Sequence, residues 1–130
     1  MSPVRRRTVP ADAVVREGRL AKARQFLRVA EDAIELDDGS GVADAAVTLL
    51  VHAGIAAADA ICARAIGAHA QGQDHRDAIA LLASVDRDAS KDLETLLAMK
   101  TRAGYGHDPI SGDRLRRAER AARALVERAR

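Results

Sequence analysis

The chain has 130 residues, of which 48% are hydrophobic, 31% charged and only 2% aromatic, and its formal net charge is +2. This length suffices for one domain with its own core, and the scarcity of aromatic rings argues against a platform on which nucleic-acid bases stack. Because alanine dominates the apolar residues, the core has to form by close packing of helices. We therefore expect an all-α domain that also associates with itself.

The N-terminal residues are expected to lie outside the folded domain. Residues 1–10 contain Pro3, Pro10 and the run Arg5-Arg6-Arg7, and we expect them to form a disordered basic leader. No apolar stretch follows the basic run, so a signal peptide is not predicted. Residues 11–130 are expected to form the single helical domain.

Two long helices are predicted in the first half of the domain. Pro10 suits the first turn of a helix that runs to about Leu36, with apolar residues at three- and four-residue steps. The glycine-containing stretch 37–41 ends it. A second helix over about 42–70 is apolar on most sides, so we expect it to be the central and most buried element.

The predicted second helix is long enough to raise the question of a membrane span. Four polar or charged residues interrupt it, namely Asp44, His52, Asp59 and Arg64. Alanine also adds little hydrophobic drive, so we expect no membrane association. The single cysteine, Cys62, lies within this helix as a small core residue and fits a reducing cytoplasm, where we expect the protein to reside.

Three shorter helices are predicted in the second half, and no strand-like alternation is present. Asp74 can cap a third helix over about 75–85, and a polar break over 86–90 precedes a fourth helix over about 91–103, capped by Ser90. Gly104 is a candidate for the C-cap of that helix. A fifth helix begins at Ser111 or Asp113 and extends to about Arg128.

Asp59 is a carboxylate within the most apolar helix, so it needs partners. One interpretation is that Asp59 caps or bonds the end of a neighbouring helix. The alternative is that it points toward a cleft that contains Arg102 or His107 and orients one of them. For metal binding, His69, Asp74 and His75 flank one turn, but no ligand pair lies at helical spacing, and we expect no metal site.

Arginines are concentrated in the fifth helix, at Arg114, Arg116, Arg117, Arg120 and Arg123. Such a pattern is typical of a solvated helix face, and the alternative is a surface that attracts anions. A DNA-binding bundle would need a continuous positive strip along this helix, and no helix-turn-helix pattern is present.

The segment Arg102-Ala103-Gly104-Tyr105-Gly106-His107 brings a cation, a phenol and an imidazole together at the end of the fourth helix. It resembles the R-x4-6-H motif of HEPN domains, which are short all-α domains of higher eukaryotic and prokaryotic nucleotide-binding proteins. Two further stretches, His52 to Cys62 with Gly72-Gln73-Asp74-His75, and Leu97-x-x-Lys100-x-x-Ala103, resemble small actinobacterial-type HEPN proteins. The resemblance spans about residues 14–128.

This resemblance implies a five-helix, HEPN-like up-and-down bundle that forms a homodimer, so that two R-x4-6-H motifs face one cleft. In the active members that cleft is a metal-independent RNA endonuclease without a cofactor. Carried over to this chain, Arg102 is the phosphate clamp and His107 the general base or acid. Tyr105, Asp59 and Lys100 are the residues expected to bind or orient the substrate.

The chain departs from the catalytic pattern at two positions. Active members commonly carry a polar residue directly after the arginine, where this chain has Ala103. Toxin members that a nucleotidyltransferase-type partner protein silences carry a tyrosine two residues beyond the histidine, where this chain has Pro109. Two functions therefore stay open: a toxin-like or RNA-processing ribonuclease, and a non-catalytic HEPN dimer that binds a nucleotide, RNA or a protein.

Overall fold

The computed structural model describes residues 7–39, 41–72 and 74–130. Within these ranges the chain forms five helices and one two-stranded ribbon, in the order β1 (Thr8–Pro10), α1 (Ala13–Glu35), α2 (Ala43–Ile66), β2 (Ala68–Ala70), α3 (His75–Val85), α4 (Arg87–Tyr105) and α5 (Gly112–Ala129). The prediction of an all-α, five-helix bundle is confirmed.

The central element is α2, as predicted from its apolar composition. Helices α1, α4 and α5 all pack against it, and Val47 and Leu50 are completely buried. Small residues let the neighbouring helices approach closely: a Cβ atom added to Gly54 would clash with Leu96 Cδ1 of α4. The alanine-rich sequence of α2 thus replaces bulky side chains by close contact between helices.

The membrane question also concerns α2, whose most apolar window has a mean hydropathy of 1.8. Length and composition alone would allow this helix to cross a membrane. However, 67% of that window is buried inside the bundle. This burial is that of a core helix around which a globular domain folds.

The start of the domain differs from the prediction. Residues 8–10 do not belong to a disordered leader, and Pro10 does not open α1. Instead, β1 pairs with β2 in antiparallel register, with Val9 opposite His69, and Asp12 caps α1 by accepting a hydrogen bond from Val15 N–H. Proline is tolerated here because a two-stranded ribbon has unpaired edges. Residues 1–6 of the predicted leader lie outside the described residues.

The end of α2 was predicted at residue 70, but the helix ends at Ile66. Gly67 follows in the left-handed conformation, with φ at +66°, which favours glycine because it has no Cβ atom. This glycine turns the chain so that β2 can pair with β1. The missed strand is only three residues long, too short for its alternation to be recognised.

The predicted polar break over 86–90 is absent, because α4 already begins at Arg87. Asp86 ends α3 and also caps α4, since its carboxylate accepts a hydrogen bond from Ala89 N–H at 3.0 Å. Ser90, predicted as the cap, lies inside α4, where its hydroxyl donates to Arg87 O. The predicted N-cap Asp74 is confirmed. Of the two residues predicted to begin the fifth helix, Ser111 and Asp113, the structure has Ser111 as the N-cap of α5.

The C-terminal end of α4 positions the segment that carries the motif. The helix continues past Gly104 to Tyr105, and Gly106 is its C-cap. Four residues later the chain is fixed again, because Ile110 is buried and its N–H donates to the carboxylate of Asp44 on α2 at 2.8 Å. Residues 106–109 therefore form a short exposed link between two anchored points.

Candidate functional site

Four arginines surround one groove between α4 and α5, which we call the arginine groove. Its volume is about 490 Å³. Arg102 of α4 lies on one side, and the α5 residues on the other are Arg114, Arg117 and Arg120. These three α5 residues recur at three-residue steps, which keeps them on neighbouring positions of one helix face.

The guanidinium groups of the arginine groove have no carboxylate partner within ion-pair distance among residues 7–39, 41–72 and 74–130. The other arginines of α5 behave differently. Arg116 forms an ion pair with Asp113, and Arg123 forms one with Glu31 of α1. A continuous positive strip along Arg116, Arg120 and Arg123 is thus interrupted, whereas the positive charge of the groove is available to an anion.

One carboxylate, Asp92 of α4, also lines the arginine groove. Burial raises the pKa of Asp92 above its ordinary value; Arg128 opposes this shift, while Asp88 and Asp86 add to it. A negative charge at this position weakens the attraction of the groove for an anion. The groove therefore has a cationic majority and one acidic group at its edge.

The two motif residues do not meet within one chain. Arg102 lines the arginine groove, but neither Tyr105 nor His107 does. The His107 side chain is 96% exposed, and its Nε2 atom lies 3.3 Å from a carboxylate oxygen of Asp108. Tyr105 is 86% exposed at the last position of α4. The imidazole and the phenol therefore project from the bundle, available to a molecule outside this chain.

Asp59 lies away from the arginine groove and next to α1. Its carboxylate accepts a hydrogen bond from Arg19 Nε at 3.0 Å, and His69 Nδ1 lies 3.9 Å from its other oxygen. Burial raises the pKa of Asp59, while Arg19 and His69 oppose the shift. Asp59 thus joins the second turn of α1 to α2 and β2; it neither caps a helix end nor contacts the motif.

Lys100 also lies outside the arginine groove. Residues 100 and 102 are about 200° apart around an α-helix, so Lys100 faces a second cavity, of about 230 Å³, between α2, α3 and α4. We call it the apolar pocket, because Ile55, Leu93 and Leu97 form much of its wall. The Lys100 ammonium nitrogen lies 3.5 Å from Nε2 of His75.

Cys62 and Asp74, the acidic residue next to the two histidines, have structural roles. Cys62 is buried as predicted, and burial, followed by the nearby Asp59 carboxylate, raises the pKa of its thiol to about 11. Asp74 binds the N–H groups of Arg76 and Asp77 as a helix cap. In the part of the chain that the structure describes, no three His, Cys, Asp or Glu side chains converge in a way that could hold a metal ion.

Comparison with protein-family models found no match for the chain, and comparison with curated proteins found none either. The sequence pointed to the α5 arginines as a group, but it did not separate the three in the groove from Arg116 and Arg123, which form ion pairs. Their three-residue spacing was the available signal, whereas the fourth arginine comes from another helix.

Proposed function

We propose that this protein binds RNA through the arginine groove and cleaves it without a metal ion when two copies pair, as a cytoplasmic HEPN-type ribonuclease. The observation that carries the proposal is that the motif arginine, Arg102, shares the groove with three α5 arginines that lack carboxylate partners. Four such cations on two facing helices match the phosphates of a nucleic-acid backbone.

The geometry of the groove favours phosphate over other anions. A guanidinium group presents a planar fork of donors that binds two oxygens of a phosphate at once. The groove contains no aromatic ring, so contacts to stacked bases do not contribute. We therefore expect binding to depend on the backbone and to vary little with base sequence.

Cleavage of RNA in this way requires a base that takes the proton of the ribose 2′-hydroxyl and an acid that protonates the leaving 5′-oxygen. Imidazole can do either near neutral pH. One chain offers a single imidazole in the motif, His107, which is exposed and outside its own groove. Two paired chains would supply both proton-transfer groups, with Arg102 stabilising the charge that develops on the phosphate.

A second function, RNA binding without cleavage, is favoured by one observation. His107 does not line the groove that contains Arg102, so the groove can hold a backbone without an imidazole next to it. In this case the protein would be a dimeric binding module. The two functions share the groove and differ only in the role of His107.

The experiment is cleavage of total RNA by the purified protein in excess EDTA, with His107→Ala and Arg102→Ala tested at equal concentration. A matched control is His52→Ala, which removes an exposed histidine of α2. The centroid of its ring lies 5.6 Å from that of the Phe26 ring. The ribonuclease proposal predicts cleavage by the wild type and the control, loss in both motif variants, and products with 2′,3′-cyclic phosphate ends.

RNA binding is measured on the same proteins by fluorescence anisotropy, and the association state by light scattering. Binding by a dimer without cleavage would replace the ribonuclease by the binding module. Equal cleavage by the wild type and His107→Ala would remove the role assigned to His107. Absence of RNA binding at low salt would overturn both functions.

A further inference from the structure

The apolar pocket between α2, α3 and α4 has features of a small-molecule site, and it is separate from the arginine groove. Its volume of about 230 Å³ corresponds to roughly eight water molecules at about 30 Å³ each. This volume accommodates a compact molecule and is smaller than the pockets that bind nucleotides or drug-sized ligands. The wall formed by Ile55, Leu93 and Leu97 favours an apolar body.

Polar groups of the pocket differ in whether their bonding capacity is already used. Asp59 is held by Arg19, and Asp74 is occupied as the cap of α3. By contrast, Lys100 forms no ion pair with any described carboxylate. Its ammonium group has three donors, and its nitrogen atom lies 3.5 Å from Nε2 of the His75 imidazole.

We propose that the apolar pocket binds a small carboxylate with an apolar body, whose carboxylate is held by Lys100 and His75. The ligand's carboxylate would accept hydrogen bonds from the ammonium group and from the imidazole, while its body lies against the wall formed by Ile55, Leu93 and Leu97. A convergent polar pair at one side of an apolar cavity is the usual design of a small-ligand site. This inference does not depend on the proposed RNA site.

Charge balance favours a monoanion over a phosphate ester. One unpaired ammonium group can neutralise one negative charge, and a doubly charged phosphate would bring its second charge near Asp59 and Asp74, which also line the pocket. Phosphate recognition in proteins depends on several donors or a bidentate arginine. Among the residues that the structure describes, no arginine lines this pocket, in contrast to the arginine groove.

The test is isothermal titration calorimetry of the full chain with hexanoate and octanoate, beside 1-hexanol as the uncharged probe. The expected result is saturable binding of the carboxylates, tighter than binding of the alcohol by about tenfold to a hundredfold. Lys100→Met should remove this preference, because it keeps the length of the side chain without its charge. Lys100→Arg should retain the preference.

Two further variants separate the pocket from other effects. Lys91→Met removes an exposed ammonium group from the same helix, outside the pocket, and should bind like the wild type. Ala78→Phe places a ring in the pocket and should abolish binding of the two carboxylates and of the alcohol, while RNA binding persists. Circular dichroism establishes that each variant is folded.

Three results would overturn the inference. These are no saturable binding of either carboxylate by the folded protein, equal affinity for the carboxylate and the alcohol, and an unchanged carboxylate preference in Lys100→Met. Tighter binding of hexyl phosphate than of hexanoate would also overturn the assignment of a carboxylate ligand.

Discussion

Replacing one arginine of the groove should change how strongly RNA binding depends on salt. Arg117→Ala removes a guanidinium group that lines the groove, whereas Arg116→Ala, the matched control, removes the neighbouring guanidinium group, which is already paired with Asp113. Both variants lose the same formal charge. Only the first should lose a phosphate contact, because only Arg117 faces the groove.

The magnitude follows from the release of counterions. Each phosphate that a protein neutralises on a single strand contributes about −0.7 to the slope of log K against log salt concentration. Four arginines, each binding one phosphate, give a slope of about −2.8, and three give about −2.1. Between about 50 and 200 mM salt the affinity should fall about fiftyfold for the wild type and about twentyfold for Arg117→Ala.

The assay is fluorescence anisotropy with a labelled single-stranded RNA at several salt concentrations, on the wild type and both variants. The slope of Arg116→Ala should stay close to that of the wild type. If both variants lose the same amount of slope, net charge rather than the groove governs binding. If neither changes, RNA does not occupy the groove and the proposed function loses its basis.

Three predictions concern the stability of the fold, each measured by urea unfolding. Arg19→Leu leaves the largely buried Asp59 carboxylate without its main partner and should lower the free energy of unfolding by about 1–3 kcal/mol. Because burial raises the pKa of Asp59, this loss should be complete at a pH above the pKa of Asp59 in the folded protein and should vanish as the pH falls below it. Asp59→Asn should remove this pH dependence. Asp86→Ala removes the cap of α4 and should lower the free energy of unfolding by about 1 kcal/mol at neutral pH. Hydrogen bonds from Ala89 N–H and from Arg128 lower the pKa of Asp86. The difference in unfolding free energy between the variant and the wild type should therefore shrink as the pH falls below about 4. Gly54→Val should destabilise the bundle by about 1–3 kcal/mol, since even a single Cβ atom there meets a buried leucine side chain; equal stability would show that α4 can move away.

Helix periodicity was sufficient to predict most of the fold, because each helix is a long pattern formed by residues close in sequence. The central position of α2 followed from its apolar residues on most sides, and the cap Asp74 followed from local chemistry alone. For the start of α5, local chemistry left Ser111 and Asp113 as alternatives, and Ser111 is the cap. One error occurred where two neighbouring helices share one residue. Asp86 ends one helix and begins the next, so a sequence pattern that expects a gap between helices places the start of α4 too late.

The site was less accessible to sequence reasoning, because it depends on which helix faces meet. Arg102 was singled out from its motif, but its neighbours in the groove come from α5. Lys100 and Asp59 were expected to bind or orient the substrate, and a place near Arg102 or His107 was one of two alternatives for Asp59. Both residues line the apolar pocket. Lys100 and Arg102 are two positions apart in sequence, and this spacing places them on different faces of the helix.

The short link at the end of α4 limits how far the motif imidazole can travel. Gly106 is fixed by hydrogen bonds to the carbonyl groups of Thr101 and Arg102, and consecutive Cα atoms are about 3.8 Å apart. The Cα atom of His107 is thus tethered within about 4 Å of a fixed point, and the buried Ile110 restrains it from the other side. Loop motion alone would not deliver this imidazole to a distant phosphate. In the proposed dimer, the other copy would have to bring RNA to the imidazole, so a crosslinking test of that dimer should begin at the C-terminal end of α4.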